Sequence, residues 1–161
     1  MTYFADLLMY IKVKSVKNRN NRAGNTEFVD HTLVEGTLRQ SFNYYAALTD
    51  PIAKAIFMMF MISEVHPFTD GNGRISRIMG NAELYRSRQS RIIVPTVYRE
   101  DYILSLRKMS NLKEPDAFIR VMEKLQHFSH HIVGENFDEF NNYFIATNAY
   151  KEPSEGRLKF Y

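Results

Sequence analysis

The stretch from Asp50 to Arg77 constrains this chain more than any other. Asp50-Pro51 sets a helix N-cap residue before a proline at the first helical position. Pro51 to Val65 is then apolar nearly all round, with only Lys54, Ser63 and Glu64 strongly polar. A helix of that composition must be central and buried. It has to end near His66, because Pro67 disfavours helical geometry at the residue before it. Gly71-Asn72-Gly73 opens a second helical pattern, Arg74 to Arg86, with Ile75, Ile78, Met79, Ala82 and Leu84 as its apolar positions.

The rest of the chain supplies helices to surround that pair. Helical spacing is expected over Thr2 to Val13, Thr32 to Leu48, Arg99 to Met109, Pro115 to Phe128 and Phe137 to Ile145, and Ile92 to Val94 reads as short and extended. Lys14 to Asn25 holds four cations, no acid and several asparagines, and reads as a turn or hairpin tip. The expected fold is all-α, a helical bundle with one small β-hairpin. A single domain is expected over residues 1–150, followed by a tail, 151–161, that frays around Pro153 and Gly156. With 161 residues such a domain can bury a core without covalent staples.

Composition excludes more than it proposes. The absence of cysteine rules out a disulfide framework and a thiolate nucleophile, and suits a reducing, cytoplasmic setting. The longest apolar run, Ala55 to Ile62, is too short to span a bilayer, so no membrane partner is expected, and the first twenty residues do not read as a signal peptide. A net charge of +3 does not by itself argue for nucleic acid.

The chemistry lies in His66-Pro67-Phe68-Thr69-Asp70-Gly71-Asn72-Gly73-Arg74-Ile75-Ser76-Arg77. Two glycines flanking Asn72 at a helix start allow successive N–H groups to converge on one anion, helped by the helix dipole. Arg74 and Arg77, at i and i+3, share a face beside that nest, and the guanidinium fork matches paired phosphate oxygens. Asp70 is a hard oxygen donor placed to hold Mg²⁺ on a polyphosphate. His66 can accept a proton near neutral pH. Phe68 can anchor the loop in the core. Each feature alone has an ordinary structural reading: a core histidine, a turn, a solvated helix face. Eight specified positions, each met by chance about one time in ten to twenty, make their joint accident negligible.

The segment resembles the Fic-domain signature, His-x-Phe-x-(Asp/Glu)-Gly-Asn-Gly-Arg-x-x-Arg, and matches every defined position. The resemblance covers roughly Val16 to Phe128 and is most specific at the motif. It implies a Fic fold with a β-hairpin flap, for which the asparagine-rich stretch before Glu27-Phe28-Val29 is the candidate. It further implies a protein adenylyltransferase, moving AMP from ATP to a Ser, Thr or Tyr hydroxyl of a target protein and releasing pyrophosphate. By position, His66 is then the base, Asp70 the Mg²⁺ ligand, and the backbone of Gly71, Asn72 and Gly73 the anion hole. Arg74 and Arg77 hold the β- and γ-phosphates, and Phe68 is the core anchor. Lys17, Arg19 and Arg22 belong to the flap that docks the target, and Tyr102, in Arg99-Glu100-Asp101-Tyr102, lines the adenine pocket. Gly73 favours AMP transfer over the phosphorylating branch, which departs from the motif near this glycine. Another donor within the same family, or a nucleotide- or partner-binding regulatory module of toxin–antitoxin type, is the alternative.

Relatives often carry an inhibitory (Ser/Thr)-x-x-x-Glu-(Gly/Asn) helix. Glu35-Gly36 has His31 in place of the hydroxyl residue, and Glu155-Gly156 has Lys151 there with a helix-breaking Pro153, so both read as coincidence. The short region before the flap suggests a fragment of a longer protein, with any inhibitory helix in the missing part or on a partner. The basic stretch, Lys12 to Arg22, lacks an aromatic stacking platform and reads as solvated flap rather than a nucleic-acid surface. Arg86, Arg88 and Arg91 read as a solvated loop. His127, His130 and His131 lack a fitting carboxylate for a metal, and Met58, Met59 and Met61 read as core filling.

Overall fold

The computed structural model describes residues 16–24 and 26–161. The helix expected over Thr2 to Val13 lies outside them. The chain divides into two compact units, the first ending at Gln89 and the second running Ser90–Tyr161.

In the first unit, strands β1 (Arg22–Ala23) and β2 (Thr26–Glu27) form an antiparallel hairpin, with Arg22 opposite Glu27 and Ala23 opposite Thr26. Gly24 takes φ +60°, the left-handed geometry a tight turn needs and glycine accepts without a Cβ penalty. The hairpin is therefore shorter and later than the sequence suggests. Asn18, Asn20 and Asn21 are not left-handed turn formers. Asn20 instead ties the hairpin to the residues that open the first helix, its Nδ2 donating to Asp30 Oδ2 (2.8 Å) and its Oδ1 accepting from His31 N (2.9 Å). Asp30 also accepts from Thr32 N and Oγ1, starting the 3-10 turn His31–Leu33. These bonds hold the Asp30 carboxyl well below the usual carboxylate range.

Helix α1 (Val34–Ala47) continues from that turn. Helix α2 (Pro51–Val65) begins where Asp50 accepts from Ala53 N (2.7 Å) and Pro51 fills the first helical position. Helix α3 (Asn72–Arg86) begins from Gly71. Val34, Leu38 and Tyr45 of α1 and Met58, Met61, Ile62 and Val65 of α2 form one buried cluster with Phe68. At Gly80 the two later helices approach so closely that a Cβ would lie 2.7 Å from Met59 Sδ and 3.1 Å from Ala55 O. Buried Ser76 cross-links them, donating to Met59 O (2.8 Å) and accepting from Ser63 Oγ (3.1 Å). Deeper along α3, buried Glu83 accepts from Tyr45 OH at 2.5 Å, joining α1 to α3. Burial and this carboxylate push the Tyr45 phenol up.

The second unit holds a 3-10 turn (Thr96–Tyr98) and helices α4 (Arg99–Leu112), α5 (Pro115–His130) and α6 (Phe137–Ala146). The extended Ile92 to Val94 forms no strand. Phe118, Met122 and Leu125 make the buried stripe of α5, at helical spacing. The tail does not fray as composition suggests. Leu158 is buried with Val97, Phe128 and Ala149, Lys159 N donates to Thr147 O (3.0 Å), and Asn148 Nδ2 donates to Arg157 O (3.0 Å). Packing and backbone bonds outweigh the disorder signal of Pro153 and Gly156. No helix among the described residues is long and apolar enough to cross a membrane.

Candidate active site

His66 ends α2 in the left-handed region, φ 50° and ψ 56°. For a residue with a Cβ this is a strained cap, of the kind that persists where surrounding bonds over-determine it. Its imidazole Nδ1 lies 3.2 Å from Ser63 O. A carbonyl can only accept, so Nδ1 carries the proton in this bond and Nε2 is left with its lone pair. Burial lowers the pKa of His66, the bond to Ser63 opposes that, and the Lys17 cation adds to the lowering. The neutral imidazole, the form that can take a proton, is favoured.

The loop after His66 is built around Asn72, 2% exposed. Its Oδ1 accepts from Phe68 N (2.9 Å) and its Nδ2 donates to Phe68 O (2.8 Å). Phe68 itself is buried in the first unit's core. Gly71 has φ +81°, so the chain can turn there into α3. The helical ladder begins with Ile75 N donating to Gly71 O (2.9 Å), and no side-chain cap bond forms at this end among the described residues. The N–H groups of Asn72, Gly73 and Arg74 thus sit at a helix mouth outside that ladder, where the dipole favours an anion. A Cβ on Gly73 would meet nothing closer than Arg77 Nη1 at 3.6 Å. Its lack of a side chain is therefore not demanded by protein packing.

Arg74 and Asp70 are exposed and face each other at 3.5 Å. Arg77 is half-buried one turn along the same helix. The motif residues thus run from the end of α2 (His66), through the loop that holds Phe68, Asp70 and Gly71, into the first turns of α3 (Asn72, Gly73, Arg74 and Arg77). Tyr102 belongs to the second unit, where it is buried on α4 with its ring 5.9 Å from that of Phe118.

Lys17 is not the solvated flap cation that its sequence surroundings suggest. It is 3% exposed, with Nζ donating to Asn21 Oδ1 (2.8 Å) and Val65 O (3.3 Å), and its backbone N donating to Pro67 O (2.9 Å). The long apolar stem packs while the ammonium finds carbonyl oxygens. Arg19 and Arg22 are exposed. Phe28, which sequence pattern did not single out, stacks on His66 with ring centroids 3.7 Å apart and planes 9° from parallel. Only its place just after the hairpin could have drawn attention to it. Glu35 pairs with Arg39 within its own helix (2.7 Å). His131 Nδ1 lies 2.8 Å from His127 O, and His130 Nδ1 lies 2.9 Å from Ser90 Oγ.

A buried phenylalanine, a histidine at a helix end and a helix N-terminus flanked by arginines make up the candidate site. Residues 4–84 match the model of the Fic/DOC family, and the chain belongs to that family. Proteins named protein adenylyltransferase fic-1 from Caenorhabditis briggsae and Caenorhabditis elegans are each 39% identical over 75 residues, which cover 47% of this chain and 15% of the relative. A Fido domain-containing protein of Dictyostelium discoideum is 34% identical over 90 residues, covering 53% of this chain and 63% of that protein. The chain therefore matches only a small part of the nematode proteins' length. The solved structure of C. elegans Fic-1 superposes with a TM-score of 0.57 at 25% identity, over 83% of this chain and 38% of that one. A variant of the same protein gives 0.60 at 22% identity, over 90% and 44%, a likeness of fold.

Proposed function

We propose that this chain is a protein adenylyltransferase, transferring AMP from ATP to a Ser, Thr or Tyr hydroxyl of a target protein. The observation that carries this reading is His66 at the end of α2, its Nδ1 3.2 Å from Ser63 O and its pKa lowered by burial, just before the loop that leads into the start of α3. Nε2 takes the hydroxyl proton as the oxygen attacks the α-phosphorus. The bond from that phosphorus to the bridging oxygen of the β-phosphate breaks, and pyrophosphate leaves. Charge on the phosphoryl oxygens falls to the N–H groups of Gly71, Asn72 and Gly73, with Arg74 and Arg77 on the outer phosphates. Arg19 and Arg22 are assigned to target docking. The family membership and the names of the relatives support the reading.

Mg²⁺ is expected with the nucleotide. Among the described residues no three His, Asp or Glu gather as a protein-only cage. Mg²⁺ ordinarily needs only one or two carboxylates beside substrate phosphates, which the 91%-exposed carboxylate of Asp70 fits. Bound there, the ion would neutralise phosphate charge. The cysteine-free composition suits a cytoplasmic setting. An inhibitory helix, if one acts on this site, is assigned to a partner or to a segment beyond this sequence.

The test is labelled ATP with cell lysate. Label passing to protein from the α but not the γ position, and lost in His66→Ala, supports the reading. Transfer from γ alone means phosphorylation, and binding without transfer means a regulatory module.

A further inference from the structure

We propose that Lys17 and Phe28 are positioning residues for His66, holding the imidazole and its helix end from outside the motif. They lie on either side of the hairpin and converge on one turn.

The segment before the hairpin is bonded along that turn. Val16 bridges Phe68 in antiparallel fashion, Lys17 N donates to Pro67 O (2.9 Å), and Asn21 Nδ2 donates to Phe68 O (3.3 Å). Lys17 Nζ adds a bond to Val65 O (3.3 Å), a carbonyl of the last turn of α2. A helix C-terminus has carbonyls without intrahelical donors and carries the negative end of the dipole, so a cation there is favourable. A lysine 3% exposed would be costly without such acceptors. The segment after the hairpin supplies Phe28, whose ring covers one face of His66. The two segments are themselves joined, Phe28 N donating to Asn21 O (3.3 Å).

This arrangement positions the base without blocking it. The Nε2 lone pair lies in the plane of the imidazole, whereas Phe28 occupies its face. One rotation of the ring is fixed by Ser63 O and the other by the stack, which leaves the Nε2 edge for an acceptor hydroxyl. Lys17 is also the charged group that acts on the ring, and it disfavours the imidazolium; Asp30 in turn acts on Lys17. Asp70, on the loop after His66, and Arg74, in the first turn of α3, face each other.

The proposal rests on His66 being the base, so its test reads His66 directly as well as through transfer. The full chain, isotope-labelled at histidine, is compared with Phe28→Leu, Phe28→Tyr, Lys17→Met and Lys17→Arg by NMR. Phe28→Leu is expected to abolish the upfield ring-current displacement of the His66 resonances, and Phe28→Tyr to retain it. Lys17→Met is expected to raise the His66 titration midpoint, and Lys17→Arg to restore it. Transfer in Phe28→Leu and Lys17→Met should fall in kcat by about 10- to 100-fold with KM for ATP little changed. Unaltered His66 resonances and titration in folded Phe28→Leu and Lys17→Met overturn the proposal. Phe28→Leu, which keeps an apolar side chain, decides alone if Lys17→Met does not fold. Altered resonances in a protein without transfer activity would sustain the positioning and remove the base assignment instead.

Discussion

Asn72 grips Phe68 by both backbone groups, accepting from its N–H at 2.9 Å and donating to its C=O at 2.8 Å. An asparagine inside the most recognisable motif of the chain therefore acts through its side chain on the loop, while its own N–H stays at the helix mouth. Asn72→Ala would leave Phe68 N–H without this buried acceptor, at a cost of about 1–3 kcal/mol. Denaturant unfolding should show a lowered midpoint with an unchanged slope. A midpoint equal to that of the unsubstituted protein would mean that the loop is held by other contacts.

Gly73 separates fold from function. No protein atom crowds a Cβ there, and the residue lies in a helix, so Gly73→Ala should raise stability by about 0.4–1 kcal/mol. On the proposed function, the added methyl would stand where a phosphate approaches the backbone. Calorimetric titration with ATP should show weakened binding in a protein that melts no lower. Undiminished ATP binding would move the phosphates away from this helix mouth.

Gly80 behaves oppositely. Its Cβ would press on Met59 Sδ at 2.7 Å and on the carbonyl of Ala55 at 3.1 Å. Replacing glycine by alanine in a helix gains up to about 1 kcal/mol, but overpacking costs about 1–3 kcal/mol. Gly80→Ala should therefore be neutral to destabilising, in contrast to Gly73→Ala, when the two are melted side by side. A gain equal to that of Gly73→Ala would show that α2 and α3 can separate at no cost.

Tyr45→Phe removes the donor to Glu83 and leaves a buried carboxylate short of one bond. Hydrogen bonds to charged groups contribute about 1.5–3 kcal/mol, and a loss of that size is expected at neutral pH. The difference between Tyr45→Phe and the double variant Tyr45→Phe with Glu83→Gln should be stabilising if the charge is the problem. Urea titrations of the two proteins measure it.

His66 contributes a pH dependence near neutrality. Its folded pKa lies below the ordinary value of 6.5, chiefly through burial. The unfolded chain therefore binds this proton first. The contribution of His66 to stability is fully present above about 6.5 and declines as pH falls from there to the folded pKa. The acid limb of kcat/KM should likewise lie below 6.5, and His66→Ala should remove that part of the acid sensitivity of stability. An acid limb at or above 6.5 would contradict the neutral base.

Much of the site was legible beforehand because it is local. The Asp50-Pro51 start, the end of α2 at His66 and the opening of α3 all depend on backbone preferences of neighbouring residues. Lys17, Phe28, Tyr45 and Glu83 were not legible in these roles. Their partners lie far along the chain: Val65 for Lys17, His66 for Phe28, and each other for Tyr45 and Glu83. A cation among asparagines reads as solvated unless one knows that a helix end waits for it. Likewise, Leu158 gave no sign that it would anchor the tail against Val97, Phe128 and Ala149.

By itself the sequence determined the helices, their punctuation and the set of reactive groups, because capping, periodicity and a dense motif act over a few residues. The tertiary structure decided how those groups are held. It alone placed a buried lysine at the end of α2 and an aromatic ring on the face of His66. Burial and long-range pairing set charge state and orientation, and neither is a property of any short stretch of chain.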